Sequence, residues 1–291
     1  ALFAWPELEV AVINVDDAQG VKLAADLSQG RLAGLQAQAI DLWTCSSRGQ
    51  NARLQACNVK RTLSGLAFDV VEGLHSVHLQ TELMGDYNVD NLLGVIAALR
   101  ALKYNLAEIV HVCAHLKAVP GRMEKVAGVD GIELPLTVVD YAHTPDAVTQ
   151  TLMALKPVAD AMGSQLWCVL GCGGDRDASK RPLMAAAAES VADQLVLTSD
   201  NPRSELPEQI VRDMQQGLMA PEKAHHELDR AKAIYETVMQ AGKRDVILIA
   251  GKGHEDTQEV AGVKYPFDDR LHAHDALVKR ALAIHQRGVQ A

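Results

Sequence analysis

Four short stretches combine residue types suited to holding a small charged molecule: VVDYAHTPDA (138–147), VLGCGGDRD (169–177), TSDNPR (198–203) and IAGKGHED (249–256). In TSDNPR, Pro202 fixes its own φ and restricts Asn201, so the corner is stiff. Asp200 can accept from an ammonium group, Asn201 can donate and accept, and the planar fork of Arg203 can hold a carboxylate. Such a set suits a zwitterion, an amino-acid-like ligand. The plainer reading is a helix start capped by Ser204 or Asp200, with Pro207 in the first turn. It leaves Arg203 without a task.

In GCGGDRD, Gly171, Gly173 and Gly174 allow close approach of a ligand to the backbone. The stretch is neither a G-x-x-x-x-G-K-[ST] loop nor G-x-G-x-x-G, and a tight strand-to-helix turn explains the glycines equally well. Arg176 beside them fits a carboxylate or phosphate clamp. In AGKGHED, Gly251 and Gly253 flank Lys252, and Glu255 can face a second ammonium group. H-E-x-x-H is absent, and His225, His226, His272 and His274 read as surface residues. Asp140 can bind a ribose diol at a strand end, while Thr144 or Asp146 can cap the next helix. Asn88 and Asn91, three apart in YNVDN, can read a purine edge or merely cap their helix.

These residues need elements to position them. After Arg122, strand-like runs at 136–139, 166–170, 195–198 and 246–250 alternate with helix-like runs at 145–162, 181–192, 206–218 and 268–286, the last preceded by a hairpin-like stretch. Repeated βα units predict a mostly parallel sheet covered by helices. All four polar stretches then fall at carboxyl ends of strands, where such sheets bind ligands. Before Pro120 the pattern differs. A strand at 10–13 and a helix at 18–27 precede alternation from Ala37 to Thr81, which suggests several antiparallel strands. Helices are predicted from about 88, capped by Asp86 or Asn88, and over 106–116. The domain boundary is placed near Pro120, giving 1–120 and 121–291.

Composition narrows the field. A formal charge of −9 over 291 residues argues against a nucleic-acid surface. No apolar run reaches the ~18 residues of a membrane span. Cys45, Cys57, Cys113, Cys168 and Cys172 lack C-x-x-C spacing and read as reduced core thiols, which implies a cytoplasmic location. The first residues show no basic leader, and the chain is expected to begin inside a larger protein.

Read in order, GDYNVDNLLGVIAAL, VPGRME, VVDYAHTPDA, GCGGDRD…KRPLM, TSDNPR and AGKGHED resemble the Mur ligase family over essentially the whole chain. The resemblance implies an α/β fold: part of the central ATPase domain at 1–120, then a Rossmann-like C-terminal domain at 121–291. It implies an ATP-dependent ligase that adds meso-diaminopimelate to UDP-MurNAc-L-Ala-D-Glu through an acyl phosphate. The protein would be cytoplasmic, monomeric and part of peptidoglycan precursor synthesis. By the same resemblance, Arg176, Asp200, Asn201, Pro202, Arg203, Gly251 and Glu255 match the diaminopimelate motifs, with Arg203 the expected selector against lysine. Asn88, Asn91, Arg122 and Asp140 match positions near ATP; His143 and Lys252 lie in matching motifs.

The family's G-T-x-G-K-T loop is missing. Its Mg²⁺ ligands and carbamylated lysine are expected upstream of Ala1, so these 291 residues are expected to be inactive alone. Two rivals remain: a non-catalytic amino-acid-binding module, and a nucleotide-dependent dehydrogenase, in which Arg203 and GKGHE have no role.

Overall fold

The computed structural model describes residues 8–31, 40–62 and 64–289. The chain divides into two compact units, Ala1–Lys117 and Ala118–Ala291.

The first unit carries a five-stranded sheet in the order β1 (Val10–Asn14), β2 (Asp41–Ser46), β3 (Leu54–Thr62), β4 (Gly65–Glu72), β5 (His75–Thr81). The expectation of antiparallel strands holds for β3, β4 and β5 but not for β2, which lies parallel to both β1 and β3. Alternation reports which face is buried, not strand direction. Direction follows the connections: helix α1 (Ala18–Ser28) carries the chain back between β1 and β2, and β3 starts beside the end of β2. The start of the expected alternation, 37–39, lies outside the described residues, as do the first seven.

Helix α2 (Tyr87–Ala101) packs on β1, β2 and β3. Neither expected cap closes it. Asp86 makes no cap hydrogen bond and instead takes a bidentate pair from Arg61, while Asn88 donates to the Met84 carbonyl. Helix α3 (Leu106–Cys113) is capped by Asn105 and ends earlier than the apolar pattern suggests.

The second unit is a six-stranded sheet with five helices packed on its strands and a separate hairpin. Strands β6 (Glu124–Lys125), β7 (Leu136–Asp140), β8 (Leu166–Cys172), β9 (Gln194–Ser199), β10 (His225–His226) and β11 (Val246–Ala250) run in the spatial order β10-β9-β8-β11-β7-β6. All pairings are parallel except that of β6 with β7. Every residue of β7, β8 and β11 is buried, as a sheet covered on both faces requires.

Helices α4 (Pro145–Ala161), α5 (Lys180–Glu189) and α6 (Pro207–Gln215) pack against one another in turn. Helices α7 (Arg230–Gln240) and α8 (Asp269–Val289) pack together over Val139, Val169, Val196, Ile247 and Ile249. Helix α7, in the stretch left unassigned from sequence, returns the chain to insert β11 between β7 and β8. Its N-cap is Asp229, whose side chain accepts from the Lys232 N–H. Strands β12 (Thr257–Val260) and β13 (Val263–Pro266) form a separate antiparallel hairpin.

Register aligns the strand ends that matter. Ala250 of β11 stands level with Asp140 of β7 and Leu170 of β8, and Cys172 of β8 with Ser199 of β9. The polar stretches following these four strands therefore leave one edge of the sheet.

Candidate functional site

At that edge lies a cavity of about 490 Å³ whose lining includes Arg176, Asp200, Asn201, Arg203, Gly251 and Glu255, with His143 and Tyr141 also on its wall. The structure thus gathers the residues picked from three separate stretches, apart from Pro202. Pro202 acts from behind, where its carbonyl oxygen lies directly against the α-carbon of Gly174.

The 200–203 corner is held by more than its proline. Arg203 adopts a left-handed backbone, φ 52°, unusual for a residue with a side chain. It is pinned there by β12: Arg203 N–H donates to the Glu259 carbonyl at 3.0 Å and Ala261 N–H donates to the Arg203 carbonyl at 2.6 Å. Gln258 Nε2 donates to the Asp200 carbonyl at 2.6 Å. The glycine-rich loop is joined to the same corner. Gly174 N–H donates to the Asn201 carbonyl at 2.9 Å, Arg203 Nη1 to the Gly174 carbonyl at 2.7 Å, and Ser204 Oγ to Asp175 at 2.6 Å. Neither Ser204 nor Asp200 caps the following helix, which begins at Pro207 with no side-chain cap. Ser204 is spent on Asp175 instead.

Charge is arranged unevenly around the cavity. Asp200 is 8% exposed, and among the described residues its carboxylate accepts no hydrogen bond. A β-carbon at Gly251 would stand 2.6 Å from Asp200 Oδ2, so only glycine lets the β11 loop pass over this acid. Burial pushes the Asp200 carboxyl above its ordinary value, against the pull of Arg230 and Lys252. Arg176 is exposed and has no partner among the described residues. Both Arg176 and Arg203 come to Gly173: a β-carbon there would lie 3.6 Å from Arg176 Cγ and 2.9 Å from Arg203 Nη1. The cavity lining therefore includes a buried carboxylate and guanidinium-bearing side chains.

Glu255 and Lys252 differ from the sequence expectation. Lys252 is fully buried, so its ammonium is not available as a free cation in the cavity. Glu255 Oε2 accepts from Lys252 Nζ at 3.1 Å and from Asn201 Nδ2 at 2.7 Å. Desolvation would raise its carboxyl, but the Asn201 hydrogen bond and the Lys252 charge outweigh that and hold it below the usual value.

The residues expected near a nucleotide divide between the units. Asn88 and Asn91 meet on the first turn of α2, Asn91 Nδ2 donating to Asn88 Oδ1 at 3.2 Å. In the second unit, Arg122, Asp140 and His143 surround Tyr141. The Arg122 guanidinium lies 4.9 Å from the Tyr141 ring centroid, and the His143 ring lies 4.6 Å from it. Asp140 is buried and already accepts from Met123 N–H at 2.7 Å and Thr151 Oγ1 at 3.2 Å. It ties strand end to helix; the cap itself is Thr144, bonded to Ala147 N–H. His225 and His226 are exposed, whereas His272 is half-buried against Phe267 at 4.3 Å.

Sequence reasoning missed the supports. Arg230 and Asp269 are both fully buried and form a bidentate pair at 2.7 Å. Arg230 also donates to the carbonyls of Ser199 and Ala250, the last residues of β9 and β11. This guanidinium fastens two strand ends from beneath the site. Arg181, 3% exposed, joins Glu205 at 2.7 Å, Asp213 at 2.8 Å and the Gly173 carbonyl at 3.3 Å. No local spacing announces partners 39 or 24 residues apart. Among the described residues no cluster of three or more His, Cys, Asp or Glu can hold a metal ion.

Two family models match the chain: the Mur ligase middle domain over residues 1–99 and the Mur ligase glutamate ligase domain over residues 121–253. A UDP-N-acetylmuramoyl-L-alanyl-D-glutamate–2,6-diaminopimelate ligase of Acidovorax sp. (strain JS42) is 52% identical over 280 residues, covering 96% of this chain and 54% of that protein. The enzyme of the same name from Ralstonia nicotianae is 46% identical, covering 97% and 54%. A solved structure bearing that enzyme name matches with a TM-score of 0.72 and 38% identity, covering 96% of this chain and 55% of its own. The chain thus spans about half the length of the curated relatives it matches.

Proposed function

The chain belongs to the Mur ligase family, and from that premise we propose that it is the amino-acid-selecting part of an ATP-dependent ligase that adds meso-diaminopimelate to UDP-MurNAc-L-Ala-D-Glu. Residues 1–120 are then part of the central ATP-binding domain and 121–291 the amino-acid-binding domain. The names of the relatives support the reaction and its place in peptidoglycan precursor synthesis. The observation that carries the reading for this chain is the cavity itself. Among the described residues the Asp200 carboxylate accepts no hydrogen bond, and it lines the same cavity as Arg176 and Arg203, the complement of a zwitterion.

In this reading Asp200 and the free oxygen of Glu255 receive ammonium groups, and Arg176 and Arg203 receive carboxylates. Charge-assisted hydrogen bonds of this kind orient as well as bind. Diaminopimelate carries a carboxylate that lysine lacks, so a guanidinium left without it stays unsatisfied, and discrimination follows from that loss. Of the two arginines, Arg203 is braced against the Gly174 carbonyl, and Arg176 is the unpaired one. Holding the amine still is the contribution these residues make: orientation removes much of the entropic part of the barrier to its attack on the acyl phosphate.

ATP is the second substrate in this reading: Asn88 and Asn91 in the first unit, and Arg122 and His143 in the second, are the residues assigned to it, while Asp140 is spent on Met123 and Thr151. Among the described residues no cluster of three or more His, Cys, Asp or Glu could hold Mg²⁺, and the roles assigned to them are binding and orientation. No helix among the described residues is long and apolar enough to cross a membrane. A cytoplasmic location and a monomeric state are proposed on the family resemblance alone.

The test is a parallel titration of the 291-residue chain with meso-diaminopimelate and L-lysine, followed by backbone amide shifts. Diaminopimelate should move residues 200–203 and 251–255, lysine should bind far more weakly, and Asp200→Asn should abolish the response. Equal binding of the two ligands, or shifts confined to other loops, would overturn the assignment.

A further inference from the structure

We propose that Lys252 is a positioning residue that sets Asn201 and Glu255 in place before any ligand arrives. The proposal rests on the amino-acid-binding reading above. Lys252 is fully enclosed. Its ammonium donates to Asn201 Oδ1 at 3.0 Å, Glu255 Oε2 at 3.1 Å and the Thr257 carbonyl at 2.6 Å. An ammonium has three donors, so none is left for a ligand.

What this arrangement fixes follows from donor and acceptor chemistry. Lysine only donates, so the amide of Asn201 must turn its oxygen to Nζ. The amide nitrogen then has to face the other way, and it donates to Glu255 Oε2. Asn201 Oδ1 accepts a second hydrogen bond from Glu259 N–H at 3.0 Å, which adds β12 to the set. Glu255 Oε2 thus receives two donors, while Oε1 has no partner among the described residues. Glu255 lines the cavity. Lys252 therefore determines which oxygen of Glu255 is free and where it stands.

Its charge matters as much as its contacts. Asp200, Glu255 and Asp269 lie together with Lys252 and Arg230 in a mutually interacting group, with Arg203 also acting on Glu255. Within that group Lys252 and Arg230 are the two enclosed cations beside the three acids. Without Lys252, Asp200 and Glu255 would be driven toward their protonated forms, and a neutral carboxylic acid binds an ammonium poorly.

A double-mutant cycle on the 291-residue chain separates this from a general packing role. The variants are Lys252→Met, which keeps the length of the side chain, Glu255→Gln, and the two combined. In the ligand-free chain, Lys252→Met should move the Glu255 carboxyl titration up and shift the two Asn201 side-chain amide resonances towards their random-coil positions. Meso-diaminopimelate affinity should fall by about ten- to a hundredfold, the range associated with a charged hydrogen bond. In the Glu255→Gln background the same change should cost clearly less, because the lysine acts largely through that carboxylate.

Should Lys252→Met not fold, Glu255→Gln alone gives the comparison: with Lys252 still holding Asn201 Oδ1, the Asn201 side-chain amide resonances should shift at Nδ2 only modestly. Unchanged Asn201 resonances and an unchanged Glu255 titration would overturn the proposal, and so would strictly additive losses. If the apo shifts occur but the wild-type chain binds no diaminopimelate, the tether stands and the ligand assignment fails.

Discussion

Two neighbouring glycines should respond in opposite ways to the same substitution. A β-carbon at Gly174 would overlap the carbonyl oxygen of Pro202, a backbone atom that cannot rotate aside. The glycine-rich loop and the 200–203 corner would have to separate. That loosens Gly174 N–H to the Asn201 carbonyl, Arg203 Nη1 to the Gly174 carbonyl, and Ser204 to Asp175. Overpacking costs about 1–3 kcal/mol, and each loosened hydrogen bond about 1 kcal/mol when solvent takes it over only in part. Gly174→Ala should therefore destabilise the second unit by about 4–6 kcal/mol, a fall in melting temperature of about 8–24 °C for a unit of this size.

At Gly173 the added carbon meets the far end of the Arg203 side chain and the stem of Arg176, both of which can swing away. Gly173→Ala should lower the melting temperature by no more than about 2–4 °C, the equivalent of losing the Arg203 Nη1 bond to the Gly174 carbonyl. It should nevertheless weaken diaminopimelate binding about tenfold, since displaced guanidinium groups no longer meet the carboxylate. Calorimetry gives the first quantity and titration the second. Equal melting shifts for the two variants, or wild-type binding in Gly173→Ala, would refute the placement of the loop.

Other perturbations follow from the same geometry. Arg230→Met should cost about 3–5 kcal/mol in urea unfolding because it strands the fully buried Asp269 carboxylate, and Arg230→Met with Asp269→Leu should recover much of the loss. The Asp200 carboxyl lies above its ordinary value, so the folded chain takes up that proton before the unfolded chain does. The contribution of this group to stability is present below the unfolded value and is lost as pH rises through the folded one. Cation binding needs the ionised form, so diaminopimelate affinity should fall with decreasing pH at a midpoint above the usual carboxylate range. Burial pushes the thiols of Cys45, Cys168 and Cys172 up to about 12 and also raises Cys113, while Cys57 is half-buried on β3. Alkylation of the native chain at pH 8, mapped by mass spectrometry, should label Cys57 and spare the other four.

Which residues would meet was legible where chemistry and local pattern coincided. Asp200, Asn201, Arg203, Arg176, Gly251 and Glu255 follow strand-like runs, and parallel strands deliver their carboxyl ends to one edge. Their states were not legible. Lys252 and Asp140 look, in sequence, like residues offered to a ligand; both are enclosed and bonded within the protein. Asp86 and Ser204 look like helix caps, but a distant or cross-loop partner takes each of them. A cap is a local competition that a tertiary hydrogen bond can win, because the two differ by only about 1 kcal/mol.

The sequence by itself determined the parallel sheet of the second unit, the edge at which its polar loops emerge, and the residue types available for a zwitterion. Periodicity and turn chemistry act over a few residues, and those features need nothing more. Only the tertiary structure decided that β2 runs parallel to both neighbours, that α7 returns β11 to the middle of the sheet, and that Arg230 with Asp269 fastens the strand ends. It also decided that Asp200 stays unpaired while Glu255 is half spent. Pairing between buried charges depends on which loops cross and on the water removed when they do, and neither is written in the spacing of residues along the chain.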